Sequence, residues 1–304
     1  MTVRTALQQG ERILEDAGVA APRLTAEILL IHAISLEHPC DRAWLYAHAN
    51  DELRELWWIH YGRYLHERTQ GKPTQYITGR QEFYGREFRV TRDVLIPRPE
   101  TEHLIEAALA RISKWGGPPG PGATAWSRPL LPNTTAPRIL DIGTGSGAIA
   151  ITLSLETNSP VFAIDILRAA LTIAAANARR LHANVSFLQC DLGSALADTS
   201  IDIVVSNPPY VPLRDRSTMQ REVREHEPAL ALFAGDDGLD VYRRLIPEAR
   251  RLLKPGGWLI MELGYRSAEA VRELLDGWDE VQLVDDLAGI ARVIAAKKPA
   301  LLDS

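Results

Sequence analysis

The chain has 304 residues, 46% apolar and 24% charged, enough for a sizeable core in one large or two modest globular domains. A net charge of −5 and a pI near 5.9 argue against holding nucleic acid by phosphate neutralisation, so no direct nucleic-acid binding is expected. Two cysteines, Cys40 and Cys190, exclude a disulfide framework and a cysteine-based zinc site, and no metal is expected. No apolar run reaches transmembrane length and the N-terminus lacks a signal-peptide core, so a cytoplasmic protein without a membrane anchor is expected.

Residues 1 to about 72 read as helical. Val3, Leu7, Ile13 and Leu14 share one face, stopped by Gly18 and Pro22, and Leu24 to Ile34 form the next helix. Asp51 is expected to cap a long helix through Leu53, Leu56, Trp57, Tyr61 and Tyr64, ending before Gly71 and Pro73. The aromatic cluster Trp57, Trp58, Tyr61 and Tyr64 reads as core, and His60 and His66 as ordinary helix residues. Gln75 to Gly79, then Glu82 to Val90 around Gly85, suggest a β-hairpin. Leu95-Ile96-Pro97-Arg98-Pro99-Glu100-Thr101-Glu102 opens a helix, with Pro99 suited to its first turn and acids to its N-terminus. A helix start alone explains the proline on each side of Arg98 less well. Residues 114 to 137, rich in glycine and proline, read as a mobile surface loop, and Trp115 and Trp126 within it have no explanation.

The second half alternates strands and helices. Strands are expected at Arg138–Ile142, Val161–Ile164, Val185–Gln189, Ile201–Val205 and Trp258–Glu262, with Val281–Val284 and Arg292–Ala295 as a closing antiparallel pair. Helices are expected at Ala148–Leu155, Leu167–Leu181 and Leu239–Leu253, the last closed by Lys254-Pro255-Gly256-Gly257. The pattern predicts a doubly wound α/β domain.

Asp141-Ile142-Gly143-Thr144-Gly145-Ser146-Gly147 joins the first of these strands to a helix. Its glycines allow a tight turn and close approach of a ligand to the backbone. Gly143, Gly145 and Ala148 also fit a dinucleotide fingerprint, and Asp165 ends the second strand where an acid grips ribose hydroxyls, so NAD and S-adenosylmethionine both remain open there. Asp191 ends the third strand, placed to accept from an adenine amine.

Ser206-Asn207-Pro208-Pro209-Tyr210 follows the fourth strand and breaks the tie. Two prolines end the strand and stiffen the loop at the strand's carboxyl end, where ligands bind in open α/β sheets. The Asn207 side-chain carbonyl and outward-forced backbone carbonyls form acceptors for both hydrogens of a planar –NH₂, and Tyr210 offers a flat face to the group that carries it. Such a clamp aims a poorly nucleophilic nitrogen at an electrophile; hydride transfer has no use for it.

The pattern is similar to class I S-adenosylmethionine-dependent amino-methyltransferases: a Rossmann-like sheet, here with a small N-terminal helical bundle joined by a β-hairpin. Adenine methyltransferases of nucleic acid and glutamine methyltransferases share Asn-Pro-Pro-Tyr. Gly71-Lys72-Pro73, Gln75-Tyr76-Ile77, Gly79, Glu82-Phe83-Tyr84-Gly85, Leu95 to Glu102, Asp141 to Ala150, Glu227-Pro228-Ala229-Leu230, Gly238-Leu239-Asp240 and Leu253 to Gly257 resemble the peptide-chain release factor glutamine methyltransferases (HemK/PrmC family), across almost the whole chain. The resemblance implies methylation of the glutamine in the Gly-Gly-Gln motif of class-1 release factors; separately, a monomer is expected. It implies residues 1–74 as a substrate-recognition domain, 75–96 as a hairpin linker and 97–304 as the methyltransferase domain. It assigns Asp141, Gly143, Thr144, Gly145, Ser146, Gly147, Asp165, Asp191, Leu192 and Asn207 to S-adenosylmethionine, which leaves as S-adenosylhomocysteine. It assigns Asn207, Pro208, Pro209, Tyr210 and Arg98 to substrate, with Asn207, Pro208 and Tyr210 as the catalytic group. No general base is evident.

Four stretches depart from the family pattern: Tyr265-Arg266-Ser267 where a glutamine is frequent, Ile290-Ala291 where polar residues are usual, Leu192 where some relatives carry an aromatic, and the long 114–137 segment. The alternatives are an adenine-N6 methyltransferase of nucleic acid, a ribosomal-protein glutamine methyltransferase and a non-enzymatic binding module.

Overall fold

The computed structural model describes residues 1–115 and 136–300; the expectation for the 114–137 segment and Trp126 falls largely outside them. Two compact units are present: Met1–Arg80 with Met219–His226, and Gln81–Thr218 with Glu227–Ser304.

The first unit holds α1 (Val3–Asp16), α2 (Pro22–Ile34), α3 (Arg42–Ala47), α4 (Glu55–Thr69) and α5 (Thr74–Thr78). Its core is built from Leu7, Leu14, Leu29, Leu30, Trp57, Tyr61 and Tyr64, so the aromatic cluster is core as expected, with Trp58 half-buried against it. Gly10 lets α1 approach α4, because a Cβ there would overlap the Tyr61 ring. Asp51 is not the cap of α4: that helix starts behind Arg54, without a side-chain cap. Asp51 instead offers its carbonyl to the Val3 N–H at 3.1 Å, and Thr2 forms a β-bridge with Glu52. Pairing with the distant N-terminus has displaced the local cap. Residues 75–78 form a helical turn rather than strand.

The second unit begins with a two-stranded hairpin, β1 (Arg80–Phe83) and β2 (Arg86–Arg89). Tyr84 and Gly85 both take positive φ, 51° and 68°, as a two-residue loop between right-twisted strands requires. Glu102 stabilises that turn by accepting the Tyr84 N–H at 2.8 Å. A 3₁₀ turn at Pro99–Thr101 leads into α6 (Glu102–Ile112), with Pro99 in the first turn as expected. Trp115 packs half-buried against the core.

Then follow β3 (Ile139–Ile142), α7 (Ala148–Thr157), β4 (Val161–Asp165), α8 (Arg168–Leu181), β5 (Val185–Gln189) and β6 (Ile201–Ser206). α9 (Arg221–His226), which belongs to the first unit, precedes α10 (Ala229–Leu232), α11 (Asp240–Leu252), β7 (Leu253–Glu262), α12 (Ala268–Leu274), β8 (Asp279–Asp285) and β9 (Ala291–Lys297). The seven-stranded sheet has the order β5-β4-β3-β6-β7-β9-β8, parallel from β5 through β7 and antiparallel at β7–β9 and β9–β8. Alternate residues feed opposite cores. Ile203, Val205, Ile260 and Val293 join the side of α6 and α7, whereas Val204, Leu259, Met261 and Ile294 join the side of α11 and α12.

Lys254 to Gly257 do not close α11 as expected: they lie in β7, where an irregular register opposite Ile201 and Ile203 accommodates Pro255 and the two glycines. Asp202, an acid in an otherwise apolar strand, belongs to the same join, accepting from the Arg138 N–H and from Lys254, each at 2.8 Å. Among the described residues no helix is long and apolar enough to cross a membrane.

The strand order reverses between β3 and β6. The turn after β3 and the Asn-Pro-Pro-Tyr loop after β6 therefore sit side by side, at the sheet position where α/β folds bind ligands.

Candidate active site

The glycine turn is anchored from three directions. The N–H groups of Gly143 and Thr144 both donate to the Ile164 carbonyl at 2.9 Å. Asp165 accepts from the Gly145 N–H and from the Leu167 N–H, each at 2.9 Å. Asn177 donates to the Ser146 carbonyl at 2.9 Å and accepts the Arg89 N–H at 2.8 Å, tying the turn to the hairpin. Ser206 Oγ donates to the Ile142 carbonyl at 2.7 Å, joining the ends of β6 and β3.

These ends open onto a cavity of about 270 Å³. Gly143, Thr144, Gly145 and Ser146 line it, as do Asp165, Asp191, Leu192, Asn207, Pro208, Pro209 and Arg98. Three expected site residues lie off this wall: Asp141, Gly147 and Tyr210. Gly147 is a packing residue, since a Cβ there would come within 2.8 Å of Ile151 and 3.1 Å of Ala174. Asp141 is wholly buried behind the turn, where its Oδ2 accepts from Thr144 Oγ1 at 2.6 Å and from the Ala150 N–H at 3.2 Å. Burial pushes its carboxyl up to about 7, against the lowering by those two donors. Tyr210 packs its ring on Gly264, whose missing Cβ would otherwise lie 2.9 Å away, and its hydroxyl donates to Glu262 at 3.3 Å. Burial and then the Glu262 charge push its phenol well up, so it stays protonated.

The apolar wall, the rim acids and the exposed backbone suit a nucleoside-bearing cofactor. Gly143 and Gly145 have φ of 76° and 55°, and nothing occupies the space a Cβ would take at either. A ligand can thus reach the backbone, which an alanine would cover. Leu192 adopts φ of 55°, a costly conformation for leucine, at the cavity edge beside Asp191. The Asp191 carboxylate is held by Arg244 at 2.5 Å, a partner that sequence patterns did not suggest.

Arg98 is also engaged: its guanidinium pairs with Glu227, whose side chain is almost wholly buried. Glu262 and Thr101 are the other residues missed. Asn207 Nδ2 donates to Thr101 Oγ1 at 3.1 Å, and Thr101 Oγ1 donates to Glu262 Oε2 at 2.6 Å. Burial pushes the Glu262 carboxyl up to about 7, while the Thr101 and Tyr210 bonds pull it down. The only available sequence signal was the position of Thr101 between two acids after Pro-Arg-Pro.

Residues 133–290 match a methyltransferase domain family and residues 5–79 the PrmC N-terminal domain family. A release factor glutamine methyltransferase of Koribacter versatilis is 43% identical over 98% of this chain and 99% of its own length. The chain belongs to the release factor glutamine methyltransferase family. A second member, from Moorella thermoacetica, is 40% identical over 97% of this chain and 98% of its own. Among solved structures, the hMettl16 catalytic domain in complex with a MAT2A 3'UTR hairpin superposes with a TM-score of 0.53 at 15% identity, over 79% of this chain and 82% of that one; the likeness is one of fold. Membership accords with the resemblance drawn from the motifs, and the class I methyltransferase sheet with its helical N-terminal domain is the fold expected.

Proposed function

We propose that this chain transfers a methyl group from S-adenosylmethionine to the side-chain amide nitrogen of the glutamine in the Gly-Gly-Gln motif of class-1 release factors. The observation that carries the reading is the adjacency of two strand ends: the open glycine turn after β3 and the amide-binding loop after β6 line one cavity. Full-length relatives that bear this activity in their names support it.

Gly143 to Ser146 hold the methionine and ribose side of the cofactor through their backbone, with Asp165 at the ribose and Asp191 and Leu192 at the adenine. When bound, S-adenosylmethionine would supply an electrophilic methyl on a sulfonium and leave as S-adenosylhomocysteine, while the methylated nitrogen gives up one proton to solvent. Asn207 Oδ1 and the Pro208 carbonyl accept the two amide hydrogens of the substrate glutamine. That grip orients the nitrogen lone pair, and orientation carries most of the rate. Pro209 keeps the loop stiff, and the Tyr210 ring, seated on Gly264, supports the loop from off the cavity wall. Arg98, anchored by Glu227, sits at the mouth of the cavity as a contact for the substrate backbone. Residues 1–74 serve as the docking domain for the release factor.

The test is incubation with radiolabelled methyl donor and a purified class-1 release factor, beside the same factor carrying Gln→Ala in its Gly-Gly-Gln motif. Label on the first alone, lost in Asn207→Ala, supports the reading. Label on DNA or a ribosomal protein instead would overturn it.

A further inference from the structure

An asparagine amide has two faces, oxygen and nitrogen, and only one of them can grip an –NH₂ group. If the Asn207 side chain were turned over, its own N–H groups would face the substrate's, donor against donor. Something must therefore select the orientation, and the site contains a chain of polar groups that does.

Thr101 is 4% exposed and Glu262 is 3% exposed, so neither exchanges partners freely with water. Once ionised, above its raised pKa of about 7, the Glu262 carboxylate only accepts, and a threonine hydroxyl has one hydrogen to give. Thr101 spends that hydrogen on Glu262 Oε2 at 2.6 Å. Its oxygen then has only lone pairs left for Asn207, 3.1 Å away, so Asn207 must meet it with N–H. The Asn207 oxygen is thereby turned away from Thr101. The other oxygen of the same carboxylate takes the Tyr210 hydroxyl at 3.3 Å, and the Glu262 backbone carbonyl accepts the Tyr242 hydroxyl at 2.7 Å. Glu262 is thus fixed at both its main chain and its side chain.

We infer that Glu262 and Thr101 are positioning residues for the methyl transfer: the buried carboxylate sets the direction of the Thr101 hydroxyl, and Thr101 in turn fixes the Asn207 amide with its oxygen toward the substrate nitrogen. This rests on the reading of Asn207 as the amide acceptor. Thr101 reaches the cavity wall but acts through Asn207, and Glu262 lies off that wall. Their effect is on the fraction of enzyme whose clamp faces the right way, which enters kcat rather than the affinity for either substrate.

Thr101→Val keeps the shape and removes the hydroxyl; Thr101→Ser keeps the hydroxyl. Steady-state kinetics with a class-1 release factor at about pH 8.5, where Glu262 is ionised, should show kcat of Thr101→Val lowered roughly ten- to a hundredfold. KM for the release factor and the calorimetric Kd for S-adenosylmethionine should stay within about threefold of the parent, a tolerance set by the kcat-specific effect. Thr101→Ser should recover most of the loss. Glu262→Gln should lower kcat as well, and the double variant with Thr101→Val should be no worse than the poorer single variant, because both act through one chain.

A second readout is independent of turnover. The Asn207 side-chain amide protons, assigned by their disappearance in Asn207→Asp, should exchange slowly in the parent and quickly in Thr101→Val. An unaltered kcat in Thr101→Val, equal impairment in Thr101→Ser, or unchanged exchange of the Asn207 amide would each overturn the inference. If the parent enzyme methylates no release factor, the functional reading fails by itself, and the exchange measurement still decides the orientation.

Discussion

The guanidinium of Arg98 is paired with the carboxylate of Glu227, although 129 positions separate the two in the chain. The pair joins the Pro-Arg-Pro segment to the Glu-Pro-Ala-Leu segment beside the cavity. Glu227 is held at 1% side-chain exposure, whereas Arg98 keeps 34%. Removing the cation leaves a charge in a place where water cannot compensate it. Arg98→Met should therefore lower stability by about 2 kcal/mol, less than for a wholly buried pair because Arg98 retains solvent contact. Urea unfolding of the variant checks this, and Arg98→Lys, a compact charge without the planar fork, should recover only part of the loss.

Gly147 and Gly145, two of the three glycines of the turn, should fail in different ways. Gly147→Ala forces a methyl against Ile151 and Ala174 at a φ of 83°. It should cost about 2 kcal/mol or more, read as a lowered Tm. Gly145→Ala meets no neighbour, so strain at φ of 55° should cost about 1 kcal/mol. Its larger effect should be on calorimetric S-adenosylmethionine affinity, because the new methyl enters the space the ligand needs.

Stability should depend on pH through Asp141 and Glu262, both pushed up to about 7 by burial. The ordinary carboxyl values are 3.8 and 4.5, so between those values and 7 the unfolded chain has released protons that the fold keeps. Stability is then full below the lower values, falls as pH rises and levels off above about 7, with a limiting slope of about 1.4 kcal/mol per pH unit for each group. Glu100 reinforces the Glu262 shift and Arg292 opposes it. Urea midpoints measured from about pH 5 to pH 8 should show the fall, and Asp141→Asn and Glu262→Gln should each remove one share of it.

Tyr210→Phe and Tyr210→Ala separate the ring from its hydroxyl. The hydroxyl bond to Glu262 is long, 3.3 Å, and its loss should cost roughly 1 kcal/mol of stability. The ring, seated on Gly264, should matter more to turnover. Phenylalanine should keep kcat within about threefold while alanine loses it roughly a hundredfold. Equal losses would place the function in the hydroxyl.

What the sequence made legible was local. The apolar runs that become β3 to β6, the turn residues between them and the Pro-Pro stop each act within a few neighbours, so their pattern is visible in one dimension. Tyr84-Gly85 is readable for the same reason, as two residues between short strands. Asp51 has a good local role as a cap, but Val3 claims its carbonyl from the other end of the domain. The relay from Asn207 escaped notice because Thr101 and Glu262 lie 161 positions apart and neither residue type announces chemistry by itself. Asp202, an acid within an apolar strand, is matched by Lys254, which only the start of β7 supplies.

The placement of Glu262 at the far end of β7 bears on when the enzyme becomes competent during its own synthesis. β7 is flanked in the sheet by β6, made long before it, and by β9, made after it. On the inference above, the asparagine has no fixed polarity until residue 262 has been made and has met Thr101. Such late, long-range closure is slow relative to local folding. The clamp thus receives its orientation only when the fifth of the sheet's seven strands in chain order is in place.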